Sequence, residues 1–188
     1  MNMIQALGTP DYAPPAPRYT SRQRAADPRM IAVWRLAGDE MLEDLLREPG
    51  HLDAFIDEDG PELNLDQAWH GLHYLLTGGA RATAGPRGYI LGGRLLATTS
   101  IGFGPARILT SGEVAIFGDL LQCISLTDLR QRFDPEAMSA AEVHPNIWER
   151  ALTGEQDVFA YLAEHFTLLR RFIAGARRDG MGAVTYFA

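Results

Sequence analysis

The sequence predicts an α+β fold, a helix-rich single domain with a small sheet, and three observations support it. Apolar residues at helical spacing, with capping residues ahead of them, occupy most of the chain after residue 30. Short apolar runs typical of buried strands lie near residue 30 and at the C-terminus. The chain has 188 residues, of which 46% are apolar, and this length suits one domain.

The first half of the domain is predicted to begin with a strand and to continue into helices. Residues 30–36 are almost continuously apolar, which is typical of a buried strand. Asp39 can cap a short helix, and Pro49 can open a second one. A longer helix is expected over residues 65–77, ending at Gly78, where glycine tolerates a positive φ.

The second half is predicted to be mostly helical. Residues 80–110 are rich in glycine and are expected to form loops, with extended segments at 89–91 and 107–109. Thr110 and Glu113 form a capping box at the start of a helix. Further elements are expected as follows: helices over 125–133 and 145–152, a helix opening at Asp134-Pro135, a long helix after a second capping box at 153–156, and a closing strand over 183–187.

The charge is unevenly distributed. The net charge of the whole chain is -7, which argues against a general nucleic-acid-binding surface. Residues 39–66 contain eleven acids and one arginine, a net charge of -10, whereas residues 67–188 contain eleven of each. The acidic segment predicts either a solvated helix face or a surface that recruits a basic protein partner.

Several residue types restrict the chemistry and the location. All 17 basic residues are arginine, which excludes a Schiff-base lysine and a P-loop lysine. The single cysteine, Cys123, excludes a disulfide framework and is expected to be buried and inert. No apolar run resembles a secretory signal or a membrane span, so we expect a cytoplasmic protein without a membrane or nucleic-acid partner.

The first 29 residues differ in composition from the rest. Prolines cluster between residues 10 and 17 and arginines follow, without periodic apolar residues. We therefore expect residues 1–29 to form a flexible tail ahead of a single domain over residues 30–188.

The most unusual side chains lie on the predicted helix over residues 65–77. At about 100° per residue, Asp66, His70, His73 and Tyr74 fall on its polar face. Two histidines at i and i+3 can aim at one point. Asp66 lies one turn upstream of His70, so its carboxylate can hold that imidazole in one tautomer.

Three interpretations of this cluster compete. In a structural one, the histidines form hydrogen bonds to the backbone. In a second, His70 is a catalytic base oriented by Asp66, and His73 and Tyr74 bind a ligand. In a third, the histidines bind zinc, which usually takes three or four protein ligands, whereas only two are spaced for it here. We assign no metal and no cofactor.

A second candidate site is the segment Gly-Phe-Gly-Pro-Ala-Arg at residues 102–107. Gly102 and Gly104 permit a sharp turn or a close backbone approach. Arg107 can then meet a carboxylate or a phosphate in a bidentate manner. The alternative is a structural turn in which Arg107 pairs with a local acid.

Four segments together carry a resemblance to a known family. They are Trp-His-Gly-Leu-His-Tyr-Leu-Leu-Thr-Gly at 69–78, Gly-Phe-Gly-Pro-Ala-Arg at 102–107, Arg-Phe-Asp-Pro at 132–135 and Pro-Asn-Ile-Trp at 145–148. In this order they resemble the YfbM-like family, a bacterial family of small soluble proteins with a domain of unknown function. The resemblance covers about residues 30–188. It implies an α+β single domain and a bacterial source, but no activity.

The sequence departs from that family in two places. The family usually opens with its first strand, whereas 29 residues precede Met30 here. Alternatively, residues 1–7 form that strand and the proline-rich piece is an insertion. His144 stands where the family pattern leads us to expect an aromatic residue such as tyrosine, which weakens a metal site that would use it.

Two functions follow from these observations. The first is a binding module that contacts a protein partner through the acidic segment 39–66. The second is a small hydrolase in which His70 acts as the base and Asp66 orients it. In that enzyme His73 and Arg107 bind an anionic group of the substrate. The lack of a complete catalytic set favours the binding module.

Overall fold

The computed structural model describes residues 30–154 and 157–188, and its fold is α+β, as predicted. The tail predicted over residues 1–29, including the alternative first strand at 1–7, lies outside the described residues. Five antiparallel strands form one sheet in the order β2-β1-β5-β4-β3. The strands are β1 Ala32–Ala37, β2 Glu62–Asn64, β3 Arg94–Ser100, β4 Pro105–Leu109 and β5 Gly182–Phe187.

Helices cover both faces of the sheet. Two lie on one face, α1 Asp39–Arg47 and α2 Leu52–Asp57, joined by a 3-10 turn at Pro49–His51. The helices that build the larger core on the other face are α3 Ala68–Thr77, α4 Ser111–Gln122, α5 Leu126–Arg132, α6 Pro135–Ala140, α7 Arg150–Thr153 and α8 Val158–Arg178. A second 3-10 turn, Pro86–Gly88, lies between α3 and β3.

The first and last strands pair at the centre of the sheet, which confirms the predicted closing strand. Their register runs from Ala32 opposite Phe187 to Ala37 opposite Gly182. Both strands are buried almost throughout. Successive side chains of a strand point to opposite faces, so a strand covered on both faces is apolar at nearly every position.

Two hydrophobic cores follow from this alternation. Trp34 and Leu36 of β1 belong to the larger core, under α3 to α8. Val33 and Ala37 belong to the smaller core, under α1 and α2. The predicted apolar run over residues 30–36 thus contains an inner strand of the sheet that separates the two cores.

Several elements differ from the sequence prediction. β2 and β3 were not predicted. Residues 89–91 form a turn instead of an extended segment. The helix expected over residues 65–77 begins only at Ala68, because Asp66 adopts a positive φ of 47° and interrupts the helical backbone. Cys123, expected to be buried, is exposed at the end of α4.

The start of the long helix α8 also differs. Its N-cap is Asp157, whose carboxylate accepts a hydrogen bond of 3.0 Å from the amide of Ala160. Thr153 instead ends α7, and Gly154 follows in a left-handed conformation. The predicted capping box over 153–156 is therefore not the cap of this helix; Glu155 and Gln156 lie outside the described residues.

Gly71 sets how closely α3 packs against its neighbours. A Cβ atom at this position would lie 2.6 Å from the ring of Trp148 and 2.8 Å from Leu162 of α8. Trp148 is fully buried, and its indole N–H donates to the carbonyl of Val143. The absent side chain of Gly71 therefore lets α3 approach both elements, which places the histidines of α3 against the interior.

Candidate functional site

Helices α1 and α2 turn their charged sides to solvent. Leu42 and Leu45 of α1 and Phe55 of α2 are buried in the smaller core. The opposite sides of these helices and the segment after α2 expose carboxylates. We call this group the acidic surface; it comprises Glu40, Glu43, Asp53 and Glu58.

Few basic side chains offset the acidic surface. Arg47 lies 3.6 Å from Asp44 and is largely exposed. Nδ1 of His51 lies 3.0 Å from the same carboxylate, and this hydrogen bond raises the pKa of His51. Within residues 39–66 these are the only arginine and the only histidine, so the segment itself remains strongly negative.

A buried arginine forms hydrogen bonds to the backbone of the acidic segment. Arg35 of β1 is 4% exposed. Its Nη1 donates to the carbonyl of Ile56 at 3.0 Å and lies 3.4 Å from the carboxylate of Glu62. Its Nη2 donates to the carbonyl of Glu58. One guanidinium thus fixes the backbone that connects α2 to β2.

Three imidazoles gather at α3. The rings of Trp69 and His70 stack with centroids 4.8 Å apart, and His144 stacks on Trp69 at 5.7 Å. The centroids of His70 and His73 are 6.4 Å apart. The structure therefore brings the two predicted histidines together and adds His144 from the loop before α7.

Both ring nitrogens of His70 are bound to backbone groups. Nε2 lies 2.7 Å from the carbonyl oxygen of Ala80, so it carries the proton and donates. Nδ1 accepts from the amide of His144 at 2.9 Å. His70 is thereby held neutral in one tautomer. These bonds favour the structural interpretation of His70, because a general base needs a free lone pair that faces the substrate.

His73 is fully buried, although the helical pattern places it on a polar face. Its Nε2 donates to the carbonyl of Arg81 at 2.9 Å. Within the described residues, Nδ1 of His73 and Nε2 of His144 are buried without a hydrogen-bond partner. Burial, the largest cause, lowers the pKa of His70, His73 and His144.

The structure does not pair Asp66 with His70. Asp66 precedes α3, and its carboxylate accepts a hydrogen bond of 3.1 Å from the hydroxyl of Tyr161 in α8. Burial and this carboxylate raise the pKa of Tyr161. The predicted Asp66–His70 pair is therefore wrong in its geometry, because the helix on which the spacing was counted starts at Ala68, two residues after Asp66.

The segment at 102–107 comprises the turn between β3 and β4, at residues 102–104, and the first three residues of β4. Gly102 and Gly104 have positive φ values of 56° and 138°. A Cβ at Gly102 would lie 2.4 Å from the carbonyl oxygen of Phe187, so a close backbone approach requires this glycine. Arg107 is half-buried on β4 and burial lowers its pKa. In the described part of the chain it forms no ion pair, so the predicted local acid is not found.

Tyr74, the remaining predicted ligand-binding residue, is half-buried. It lines a cleft beside the C-terminal end of α3. Among the described residues no group of three or more histidines, cysteines or carboxylates could hold a metal ion.

Because of its buried histidines, we expect the protein to have a lower free energy of unfolding in mild acid than at neutral pH. The unfolded chain keeps histidine pKa values near 6.5, whereas the folded values of His70, His73 and His144 are lower. At a pH between the folded and the unfolded pKa values, the unfolded chain binds more protons than the folded chain does. The stabilisation is therefore complete above about pH 6.5 and is lost as the pH falls through the folded pKa values. Urea unfolding between about pH 7.5 and 5.5 measures this loss.

Two variants separate this effect from other titrations. His70→Gln should reduce the dependence of the unfolding free energy on pH. His51→Gln should not reduce it, because the pKa of exposed His51 is raised and its contribution has the opposite sign. Equal slopes for wild type and His70→Gln would contradict the assignment.

Comparison with known proteins decides the family. A family model described as "Domain of unknown function (DUF1877)" matches residues 29–186. The chain belongs to the DUF1877 family. A solved structure similar to this DUF1877 protein is "The Crystal Structure of a Protein of Unknown Function YfbM from Escherichia coli", with a TM-score of 0.68 and 22% identity. The alignment covers 85% of this chain and 100% of that one. No curated protein matches the chain.

These comparisons confirm the YfbM-like family resemblance and the α+β fold of this DUF1877 protein. At 22% identity the structural match supports the fold alone. In the described part of the chain no helix is both long and apolar enough to cross a membrane.

The sequence analysis did not identify three arginines that have a distinct place in the fold. Arg35 is buried, and Arg87 and Arg132 line one cleft. Arg35 stands in an apolar strand, and a charged residue in a buried run is a usable sign of an internal partner. Arg87 and Arg132 are 45 positions apart in the sequence and meet only in the folded chain. No local pattern could have joined them.

Proposed function

We propose that this DUF1877 protein is a bacterial, cytoplasmic binding module whose acidic surface docks onto a basic segment of a partner protein. The density of exposed carboxylates on α1 and α2 carries the proposal. Complementary charge accelerates association and rejects partners of the same sign. The partner is therefore expected to present several arginine or lysine side chains together.

An exposed apolar side chain beside the acidic surface can anchor a partner. Met41 lies on α1 between Glu40 and Leu42 and is 40% exposed, whereas most large apolar side chains of the described residues are buried. Methionine is enriched at the cores of interfaces and adapts to irregular partners. An exposed Met41 with the exposed carboxylates of Glu40 and Glu43 on the same helix fits an interface with an apolar centre and a charged rim.

Contacts of the buried residues under the acidic surface favour a site that is already formed before the partner binds. Arg35 binds the carbonyls of Ile56 and Glu58 at the end of α2, and the buried leucines of α1 hold that helix on the sheet. A rigid surface loses little conformational entropy on binding, which favours affinity.

The test combines identification of a partner with a charge-neutral variant. Wild-type protein captures partners from a lysate of the source organism, and the captured protein is then purified. Its affinity is measured for wild type and for Glu40→Gln/Glu43→Gln/Asp53→Asn. We expect a basic partner, a dissociation constant at least about 10-fold weaker for the variant, and weaker binding as salt increases.

A matched control keeps the same change in net charge elsewhere. Glu136→Gln/Glu149→Gln/Glu164→Gln removes three exposed carboxylates from the helical layer on the opposite face of the sheet. This control should bind the partner as wild type does. Equal weakening by both triple variants, or unchanged binding by the acidic-surface variant, would refute the proposal.

A further inference from the structure

The cleft lined by Tyr74 lies on the other side of the sheet from the acidic surface. It has a volume of about 580 Å³ and lies between the C-terminal end of α3, the turn Pro86–Gly88 and the junction of α5 and α6. The polar side chains that line it are Tyr74, Thr77, Arg87, Gln131, Arg132 and Asp134.

Two guanidinium groups meet at this cleft. Nη1 of Arg132 donates to the carbonyl of Leu75 at 3.1 Å, and Nη1 of Arg87 donates to the carbonyl of Leu76 at 3.2 Å. These carbonyls belong to consecutive residues in the last turn of α3, where no later helical amide can reach them. Anchoring to adjacent carbonyls places both cations at the same end of α3, on the lining of one cleft.

Among the described residues no salt bridge neutralises their positive charge. The pKa of Asp128 on α5 is lowered first by hydrogen bonds with Ser125 and only last by the charge of Arg132. In the part of the chain that the structure describes, neither Arg87 nor Arg132 lies within 4 Å of a carboxylate oxygen. Asp134 also lines the cleft, but its Oδ1 caps α6 by accepting from the amide of Ala137 at 3.0 Å. Two like charges placed together favour the arrival of an anion.

The donors that remain match a particular anion. A guanidinium has five N–H donors, and in the described residues each of these arginines makes one protein hydrogen bond. Its planar fork fits phosphate and carboxylate oxygens. Two full positive charges match a phosphate dianion better than a monoanionic carboxylate. A cleft of about 580 Å³ has room for a small organic molecule as well as the anionic group.

We propose that this cleft binds the phosphate group of a small phosphorylated molecule, with Arg87 and Arg132 as the phosphate ligands and Tyr74 beside them. The site lies on a different helical layer from the acidic surface. It does not depend on the proposed partner binding.

Titration calorimetry at constant ionic strength tests the site with inorganic phosphate, phenyl phosphate and acetate. We expect one saturable site for phosphate and tighter binding of phenyl phosphate, because its ring occupies the remaining space. Acetate should bind at least about 10-fold more weakly. Arg87→Gln and Arg132→Gln should each weaken phosphate binding at least about 10-fold, as expected for a lost hydrogen bond to a charged group.

Arg130→Gln is the matched control. Arg130 lies in the same last turn of α5, but its guanidinium rests on the rings of Phe133 and Phe159 outside this cleft. It should bind phosphate as wild type does. Failure of phosphate to saturate one site, or equal affinity in wild type and in both cleft variants, would overturn the proposal. So would phenyl phosphate binding no tighter than inorganic phosphate.

A measurement on the wild-type protein tests the phosphate site without any variant, so poor folding of a variant cannot affect the result. Addition of phosphate should shift the amide NMR signals of Thr77, Gly78 and Gln131 in a saturable manner. Saturable shifts confined to residues outside the cleft would also overturn the proposal.

Discussion

Arg35→Met should lower the free energy of unfolding by about 3–5 kcal/mol, the usual cost of removing one partner from a buried ion pair. The side chain of Arg35 is 5% exposed and that of Glu62 is 16% exposed. Methionine retains much of the apolar stem but donates no hydrogen bond. The substitution therefore leaves the carbonyls of Ile56 and Glu58 and the carboxylate of Glu62 without this donor. Chemical denaturation of both proteins measures the difference.

Arg47→Met provides the matched control for this measurement. Arg47 pairs with Asp44 at 3.6 Å, but its side chain is 69% exposed. An exposed pair contributes little, so the control should change stability by less than about 1 kcal/mol. If the two substitutions destabilise the protein equally, the role given to the buried guanidinium is wrong.

Gly71→Ala should destabilise the protein by about 1–3 kcal/mol, the range typical of an overpacked core. The added methyl would meet the rings of Trp148 at 2.6 Å and the side chain of Leu162 at 2.8 Å, both in fully buried positions. The higher helix propensity of alanine, about 1 kcal/mol in isolation, offsets only part of this cost. The midpoint of thermal or urea unfolding measures the net effect.

Gly112→Ala is a suitable comparison because Gly112 also lies in a helix. A Cβ there would come no closer than 4.0 Å to a neighbour outside its local chain. This control should leave stability unchanged or raise it. A rise in stability for Gly71→Ala as well would show that α3 has space at this position, against the packing described above.

The sequence predicted most helices because their signals are local. The Thr110–Glu113 capping box is formed in the structure, and the apolar spacing of α8 matches its buried face. The closing strand was also predicted correctly, since Ala183 to Phe187 is apolar and follows the end of a long helix. Such elements depend on neighbouring residues, so pattern alone indicates them.

Elements that depend on distant contacts were not predicted. β2 contains Glu62 and Asn64, which are untypical of strands, and it is held by pairing with β1. β3 pairs with β4 through an irregular register that disguises the alternation of its residues. In both cases tertiary pairing outweighs local preference.

The candidate site was predicted only in part for the same reason. The spacing of His70 and His73 correctly places them on one helix, and the structure brings their rings together. Their partners are the carbonyls of Ala80 and Arg81, in a loop whose path no pattern in the sequence specifies. The sequence also did not indicate the positive φ of Asp66. With this backbone conformation, the carboxylate of Asp66 accepts a hydrogen bond from Tyr161.

The two proposed binding regions use opposite charges on opposite sides of one sheet. The acidic surface belongs to α1 and α2 over the smaller core, whereas Arg87 and Arg132 belong to the helical layer over the larger core. Their separation means that variants in one region can serve as controls for the other.

Hydrogen exchange of the purified complex tests the central claim, partner binding through the acidic surface, most directly. The amides of α1 and α2 should become more protected when the captured basic partner is bound, with the largest change around Met41. Those of α5 to α8 should remain unchanged. Protection confined to the helical layer over the larger core, with α1 and α2 exchanging as in the free protein, would contradict the account.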